Sequence, residues 1–364
     1  MSILYDEGQQ AIATESRKIL DARVNKDKLL GLLEQTGAYD ETFWNVAVEQ
    51  GWTALPITED HGGLGLGLTE FGLVAQASGA GTAGAPFLAS GYGFAKALDL
   101  SGDSALQGEW LPRLAAGEIK AALAFGENGA PFPPAPAVTF TDGKLSGTKH
   151  GVTGGLAADV ALVWASQGGA PALVVAPLEG ATRTAIYSFD NSRLFADITF
   201  SGTSATLIAS GDRAVSIARQ VLAGTAVVIA HEQVGGAEAL LQIARDYALT
   251  RRAFGQPIGA FQSIKHKIAE MYALVELARA NCIHAAASEG SDEFLKAAAS
   301  ARLVATEAYD AAARDCTQIH GGIGVTWEQG LHLHMRRARS LAIELGNAFF
   351  WEDLLAYELT GEQA

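Results

Sequence analysis

The spacing of apolar positions divides the chain into three stretches. Over about residues 1–120 the period is helical: Ile12, Ile19 and Leu20 recur at turn spacing, and Asp40 stands where an N-cap belongs, ahead of Phe43, Trp44 and Val46. The run His61-Gly-Gly-Leu-Gly-Leu-Gly67 interrupts that period before another apolar helix through Leu73 and Val74. A lone glycine cluster is a weak phosphate signal, and between two helical patterns it reads better as a turn. Over about residues 121–211 the character changes. Pro131, Pro133, Pro134 and Pro136 exclude regular helix there. Short β-rich runs follow at Ala137–Phe140, Leu162–Trp164, Leu173–Ala176 and Ala196–Phe200, and Asp142-Gly143 is a hairpin signal between strands.

From about residue 212 to 364 the helical period returns. Ala218, Val221, Thr225, Val228 and Glu232 form one stripe at spacings of three and four. Ile264, Ile268, Met271 and Val275 form a second, and Val304, Ala308 and Ala311 belong to a third. Several long helices joined by short connections pack naturally as an antiparallel bundle. The predicted fold is therefore mostly α with a small β domain: an N-terminal helical domain (1–120), a middle β-barrel-like domain (121–211) and a C-terminal four-helix bundle (212–364).

Composition narrows the function classes. The 26 Lys and Arg against 40 Asp and Glu give a formal charge of -14, which argues against a nucleic-acid groove. A local basic pocket for a phosphate-bearing small ligand stays open. No continuous apolar run reaches the roughly 18 residues of a membrane span. The stretch Met1 to Ile12 is acidic and polar, with no basic-then-apolar leader. The expected location is cytoplasmic. Cys282 and Cys316 lie in Ala-rich helical sequence and read as buried reduced thiols. His332 and His334 are two residues apart, which is poor spacing for a shared metal on a helix, so no metal site is expected.

Two segments carry candidate chemistry. In Tyr247-Ala-Leu-Thr-Arg-Arg-Ala-Phe-Gly-Gln-Pro-Ile-Gly-Ala-Phe-Gln262, one helix ends before Gly255 and Pro257 and the next begins near Phe261. Arg251 and Arg252 at that end either complement the helix dipole or offer a guanidinium fork to a phosphate, and spacing alone favours the former. In Gln318-Ile-His-Gly-Gly-Ile-Gly-Val-Thr-Trp-Glu328, the glycines permit close backbone approach to a ligand or simply a tight turn.

Together, and about 55 residues apart, these two segments resemble the acyl-CoA dehydrogenase family. The resemblance extends over the whole chain, through Gly51-Trp52, Pro56, Gly62-Gly63-Leu64-Gly65, Trp110 to Glu118, Gly147-Thr-Lys149, Thr153 and Ala158-Asp159. It implies α,β-dehydrogenation of an acyl-CoA thioester. The α-hydrogen leaves as a proton, the β-hydrogen passes as hydride to FAD, and an electron-transfer flavoprotein takes the electrons. It further implies that Arg251, Phe254 and Gln262 reach across a subunit interface to the adenosine pyrophosphate of FAD. Gln318, Ile319, Gly321 and Gly322 are expected along the same dinucleotide, and Thr153 beside the flavin ring. The implied assembly is a homo- or hetero-oligomer, a dimer of dimers, acting in fatty-acid or steroid side-chain β-oxidation.

The pattern fails in two places. Where the family's first flavin motif reads roughly aromatic-x-Thr-Glu-Pro-x-x-Gly-Ser-Asp, this chain has Phe125-Gly-Glu-Asn-Gly-Ala-Pro-Phe-Pro-Pro134. Glu127 is kept, but Gly126 replaces Thr and the Gly-Ser-Asp end is gone. Gly151 also stands where the family usually carries Trp, which removes a flat surface beside the flavin. The second failure concerns the base. Abstraction of an α-proton needs a carboxylate within hydrogen-bond reach in a dry pocket. The two positions where the family places it are Leu345 and Thr225 here. Two carboxylates remain as candidates. Glu344 is one residue early, and Glu232 lies seven residues beyond Thr225, about 10 Å along its helix. A carboxylate on an apolar stripe is costly unless paired, so an ion pair is the competing role for Glu232. The sequence thus supports an FAD-dependent acyl-CoA dehydrogenase. The alternative is a non-catalytic partner subunit that completes the FAD site of a related catalytic subunit.

Overall fold

The structure, a computed structural model, describes residues 5–83 and 86–361. Met1–Leu4, where the leader reading begins, lie outside the described residues. Six helices come first: α1 (Glu7–Arg23), α2 (Lys26–Leu32), α3 (Glu41–Glu49), α4 (Leu68–Ala80), α5 (Phe87–Ser101) and α6 (Ser104–Ala115). Their starts follow side-chain chemistry. Asp6 and Gln9 cap α1 reciprocally, Asp40 accepts from Thr42 N at α3, and Asp103 accepts from Ala105 N and Leu106 N at α6. The glycine run at 61–67 makes the connection into α4.

Eight strands follow: β1 (Ala121–Ala124), β2 (Thr139–Thr141), β3 (Lys144–Val152), β4 (Val160–Gln167), β5 (Ala170–Pro177), β6 (Thr182–Ala185), β7 (Ala196–Ser204) and β8 (Thr206–Ser210). They form one mixed sheet in the order β6-β7-β3-β2-β4-β5-β8, with β1 parallel to β4. Asp142 (φ 48°) and Gly143 (φ 73°) close the β2–β3 hairpin, both left-handed as a two-residue type I′ turn requires. Alternate residues of β4 and β5 enter different cores. Leu162, Trp164, Leu173 and Val175 pack toward α5, α6 and the following long helix, with Phe94, Leu98, Leu111 and Val221. Ala161, Val163, Val174 and Ala176 face Phe140, Leu145, Ile198 and Phe200 inside the sheet. Burial on both faces explains why these strands read as continuous apolar runs.

The long helix α7 (Gly211–Thr250) follows, then the short pairing β9 (Arg252–Ala253) and β10 (Gln256–Pro257). The last helices are α8 (Gln262–Ala287), α9 (Phe294–His320), α10 (Leu331–Leu341) and α11 (Ala348–Thr360). The 40-residue α7 is the axis of the molecule and packs against α4, α5, α8 and α9. Its predicted stripe from Ala218 to Glu232 is buried, but Leu222, Ala223, Val227 and Ala230 are buried as well. The helix is surrounded, not one-sided. It is long and apolar enough to cross a membrane, yet 78% of its most apolar window is enclosed by the rest of the protein, so it serves as a core helix. α4 reaches it at glycine contacts: a Cβ on Gly235 would sit 1.8 Å from the Gln76 carbonyl, and one on Gly79 1.8 Å from the Glu232 carbonyl. Backbones this close set where Glu232 stands.

Candidate functional site

A cavity of about 390 Å³ opens between the sheet and the turn that follows α10. Gly126, Gly129 and Gly151 line it beside Glu127, Pro131 and His150, and a Cβ on Gly129 or Gly151 would meet nothing within 4 Å among the described residues. Thr153 and Phe195 stand on the sheet side, and Glu344, Leu345 and Gly346 on the helical side. Glu127, the kept residue of the eroded motif, is committed to structure. It accepts from Ala137 N (2.6 Å), Val138 N (3.1 Å) and Lys149 Nζ (2.5 Å). Lys149 also donates to the Phe125 carbonyl at 3.1 Å. Burial pushes the Lys149 ammonium down to about 8, against the pull of Glu127. The pair fastens the proline-rich loop to β3.

Both candidate bases lie in one buried ionic cluster. Arg193, 1% exposed, comes from the 3-10 turn Asn191–Arg193 that enters β7. Its Nε donates to Glu344 Oε1 at 2.6 Å and its Nη2 to Glu344 Oε2 at 2.8 Å, a bidentate pair. Its Nη1 reaches Glu232 Oε1 at 3.2 Å. The same Glu232 oxygen accepts from Arg337 Nη1 at 2.7 Å, and Arg337 Nε donates to Asp190 Oδ2 at 2.6 Å. Arg337 also donates to the carbonyls of Ala83 and Thr82. Burial alone would lower the Arg193 and Arg337 guanidinium values, but the adjoining carboxylates raise both. Burial likewise opposes the charged form of Asp190, yet Arg337 holds its carboxyl below the usual range. Glu232 therefore has the ion-pair role that its place on an apolar stripe required.

The turn after α10 is held from a second side. Arg302 on α9, also 1% exposed, donates Nη2 to the carbonyls of Leu341 and Glu344, the latter at 3.1 Å, and Nη1 to Gln233 Oε1 at 2.6 Å. Burial pushes its guanidinium down to about 10. Glu344 lies in this turn and not on a helix. Leu345 follows with φ 52° and Gly346 with φ 114°. Thr225, the other vacated base position, is buried on α7 and its Oγ1 has no hydrogen-bond partner among the described residues.

The remaining motif residues gather elsewhere. Arg251 caps the C-terminus of α7, and Phe254, with φ 49° in the β9–β10 turn, is 97% exposed. Gln262 opens α8 and is exposed. Gln318, Gly321 and Gly322 are exposed at the end of α9, with Ile319 turned into the core. The Tyr247 and His320 rings stack at 4.0 Å between centroids, so the two motif segments adjoin. None of these seven residues lines the cavity. Thr153, Glu344 and the cavity form one group, the α7–α9 tip another. Sequence reasoning missed Asp190, Arg193 and Arg302: the first two sit in a loop with no period, and an arginine within an Ala-rich helix looks like a solvated face. Cys282 and Cys316 are free and buried, their thiols pushed up to about 12 by burial. No group of metal-ligating residues occurs among the described residues.

A family model described as acyl-CoA dehydrogenase, N-terminal domain, matches residues 6–118, and one described as its C-terminal domain matches residues 215–349. Acyl-CoA dehydrogenase FadE28 of Mycobacterium tuberculosis is 30% identical over 308 residues, covering 83% of this chain and 88% of its own. The chain belongs to the acyl-CoA dehydrogenase family. Acyl-CoA dehydrogenase IpdE2 of the same organism is 43% identical over 117 residues, 32% of this chain, and this chain spans only 36% of that relative's length in the match. Among solved structures, the ChsE4-ChsE5 complex from Mycobacterium tuberculosis superposes with a TM-score of 0.88 at 26% identity, covering 100% of both chains. Members of this family are FAD-dependent oxidoreductases. The cavity fits a flat flavin ring: its volume falls within the roughly 300–1,000 Å³ of ligand sites, and its glycine wall lets a ring approach the backbone. Thr153 on β-domain backbone would supply a hydroxyl beside it, and Arg251 a cation for a diphosphate.

Proposed function

We propose that this chain is the partner subunit of a heteromeric acyl-CoA dehydrogenase. It donates Arg251, Phe254, Gln262, Gln318, Gly321 and Gly322, but not the core-packed Ile319 side chain, to an FAD shared with a related subunit that carries the base. The observation that carries this reading is the clamp on Glu344, whose two oxygens both accept from the buried Arg193. α,β-Dehydrogenation of an acyl-CoA needs a carboxylate oxygen free to take the α-proton. FAD, when bound, supplies the hydride acceptor. Here Glu344 is doubly occupied, Glu232 bridges two arginines and does not line the cavity, and Leu345 and Thr225 hold no acid. Arg251 and Phe254, by contrast, are exposed and away from this chain's own cavity, as donated residues must be.

The similarity to ChsE4-ChsE5, a complex of two different chains, supports a hetero-oligomeric assembly built as a dimer of dimers. An electron-transfer flavoprotein is the expected electron acceptor of the assembled enzyme, which would work in the cytoplasm on an acyl-CoA of the fatty or steroid side-chain type. One observation favours a self-sufficient dehydrogenase instead: Glu344 lines the cavity. Flavin content separates the two. The full chain, purified alone and together with a related acyl-CoA dehydrogenase subunit of its organism, is assayed for FAD per chain by absorbance after denaturation. The partner role predicts a colourless chain that becomes flavin-bearing only in the complex. A yellow, fully occupied chain whose flavin is bleached by acyl-CoA in isolation overturns it.

A further inference from the structure

Adjoining the 390 Å³ cavity is a second, much smaller space of about 20 Å³, walled by Pro86, Ala89, Ser90, Thr225 and Ile229. Four residues line both spaces: Leu123, Thr153, Glu344 and Leu345. Of these, Leu345 stands out by its backbone. It is a leucine in the left-handed region, φ 52°, where a Cβ is penalised and strain persists only if the surroundings impose it. The surroundings do impose it. Arg193 fixes the side chain of Glu344, the preceding residue, and Arg302 grips the Leu341 and Glu344 carbonyls. Asn347, two residues later, is fastened as the cap of α11 through Phe350 N. The Leu345 side chain is thereby pressed between three apolar clusters, those of α7 with α9, of α6 with β4, and of Trp351.

We propose that Leu345 is a wall between the two spaces, and that it makes this chain's cleft too shallow to accept an acyl chain. The inner void holds about one water, which the orphaned Thr225 Oγ1 can use. It does not hold a hydrocarbon tail. Pro86, Ala89, Leu123 and Ile229 among its walls give apolar surface for a short, straight acyl chain of a thioester once the leucine is gone, with Ser90 and Thr225 as the polar part of the lining. The inference deepens the partner-subunit role but is read without turnover or flavin stoichiometry. A failure here leaves the flavin test standing, and the reverse also holds.

The test compares affinities of the full chain for butyryl-CoA and for CoA alone by calorimetry, so that the ratio isolates the acyl contribution. Wild type is expected to give a ratio near one. Leu345→Gly takes the left-handed conformation without a Cβ penalty and joins the two spaces. Its ratio is expected to rise by at least about 10-fold, as burial of a four-carbon chain implies. Leu345→Ala should rise less, in the same direction. Leu345→Met, which keeps the volume, should stay with wild type. The proposal is overturned by a wild-type chain that already prefers butyryl-CoA 10-fold, by glycine and alanine variants that show no preference or bind neither compound, or by a methionine variant that gains as much as glycine.

Discussion

Three arginines and three acids, Arg193, Arg302, Arg337, Asp190, Glu232 and Glu344, are each nine-tenths or more buried near one another, and their formal charges cancel. Two histidines beside this region are also buried, and they must stay neutral. His334 lies 2.9 Å from the Tyr309 hydroxyl, and burial together with Arg337 pushes it down to about 3. Burial and Arg279 push His231 to about 4. Both values lie below the ordinary 6.5, so between those limits the unfolded chain binds protons that the folded chain refuses. Their contribution is fully present above pH 6.5 and is lost as pH falls toward 4, at roughly 1.4 kcal/mol per pH unit for each histidine. His334→Gln, which can still hydrogen-bond to Tyr309, is expected to flatten the stability curve by that one-histidine slope between pH 6 and 4.5 in urea titrations. Parallel curves for wild type and variant would mean that His334 is not held neutral. At this scale the sequence spoke partially. It showed that Glu232 on an apolar stripe needed a partner, but the partners lie 39 and 105 positions away, and no local spacing encodes them.

Elements were legible where local chemistry sets them. The Asp142-Gly143 hairpin follows from two left-handed positions, and Asp40 follows from capping. β1 was not legible, because Ala121-Ala-Leu-Ala124 has little strand propensity and becomes a strand only by pairing with β4. The approach of α4 to α7 was equally silent: glycine inside a helix weakens it locally, and its use appears only when another backbone arrives. Gly235→Ala places a methyl against the Gln76 carbonyl, with backbone on both sides and no flexible side chain to yield. The expected loss is about 1–3 kcal/mol or more, despite alanine's better helix propensity, with the urea midpoint as the measurement. Gly108→Ala on α6, where a Cβ meets nothing within 4 Å, should be neutral or slightly stabilising. An equal effect at both sites would show that propensity, not packing, governs Gly235.

At the scale of the molecule, the motif residues divide between two places, which is why neither motif alone explained a site. The cavity face is made by the sheet and the Glu344 turn, while the tip where α7 and α9 end carries exposed Leu249, Phe254, Ile323, Val325 and Trp327. The Tyr247–His320 stack holds the two parts of that tip together. Exposed apolar side chains of this size suit an interaction surface, and Phe254 is the sharpest case. It touches its own chain mainly through an edge-on approach to Phe261, 6.2 Å between centroids, yet its backbone is held left-handed. If it inserts into a partner subunit, Phe254→Ser removes an aromatic anchor, a change that typically costs more than 1 kcal/mol of association. Complex formation with the related subunit should weaken by about 10-fold or more in sedimentation, and FAD should be lost from the complex with it. The isolated chain's helicity and melting should not move, because 97% exposure leaves little folding energy to lose. A variant that assembles and retains flavin like wild type would remove Phe254 from the interface and leave Arg251 as the residue to vary next.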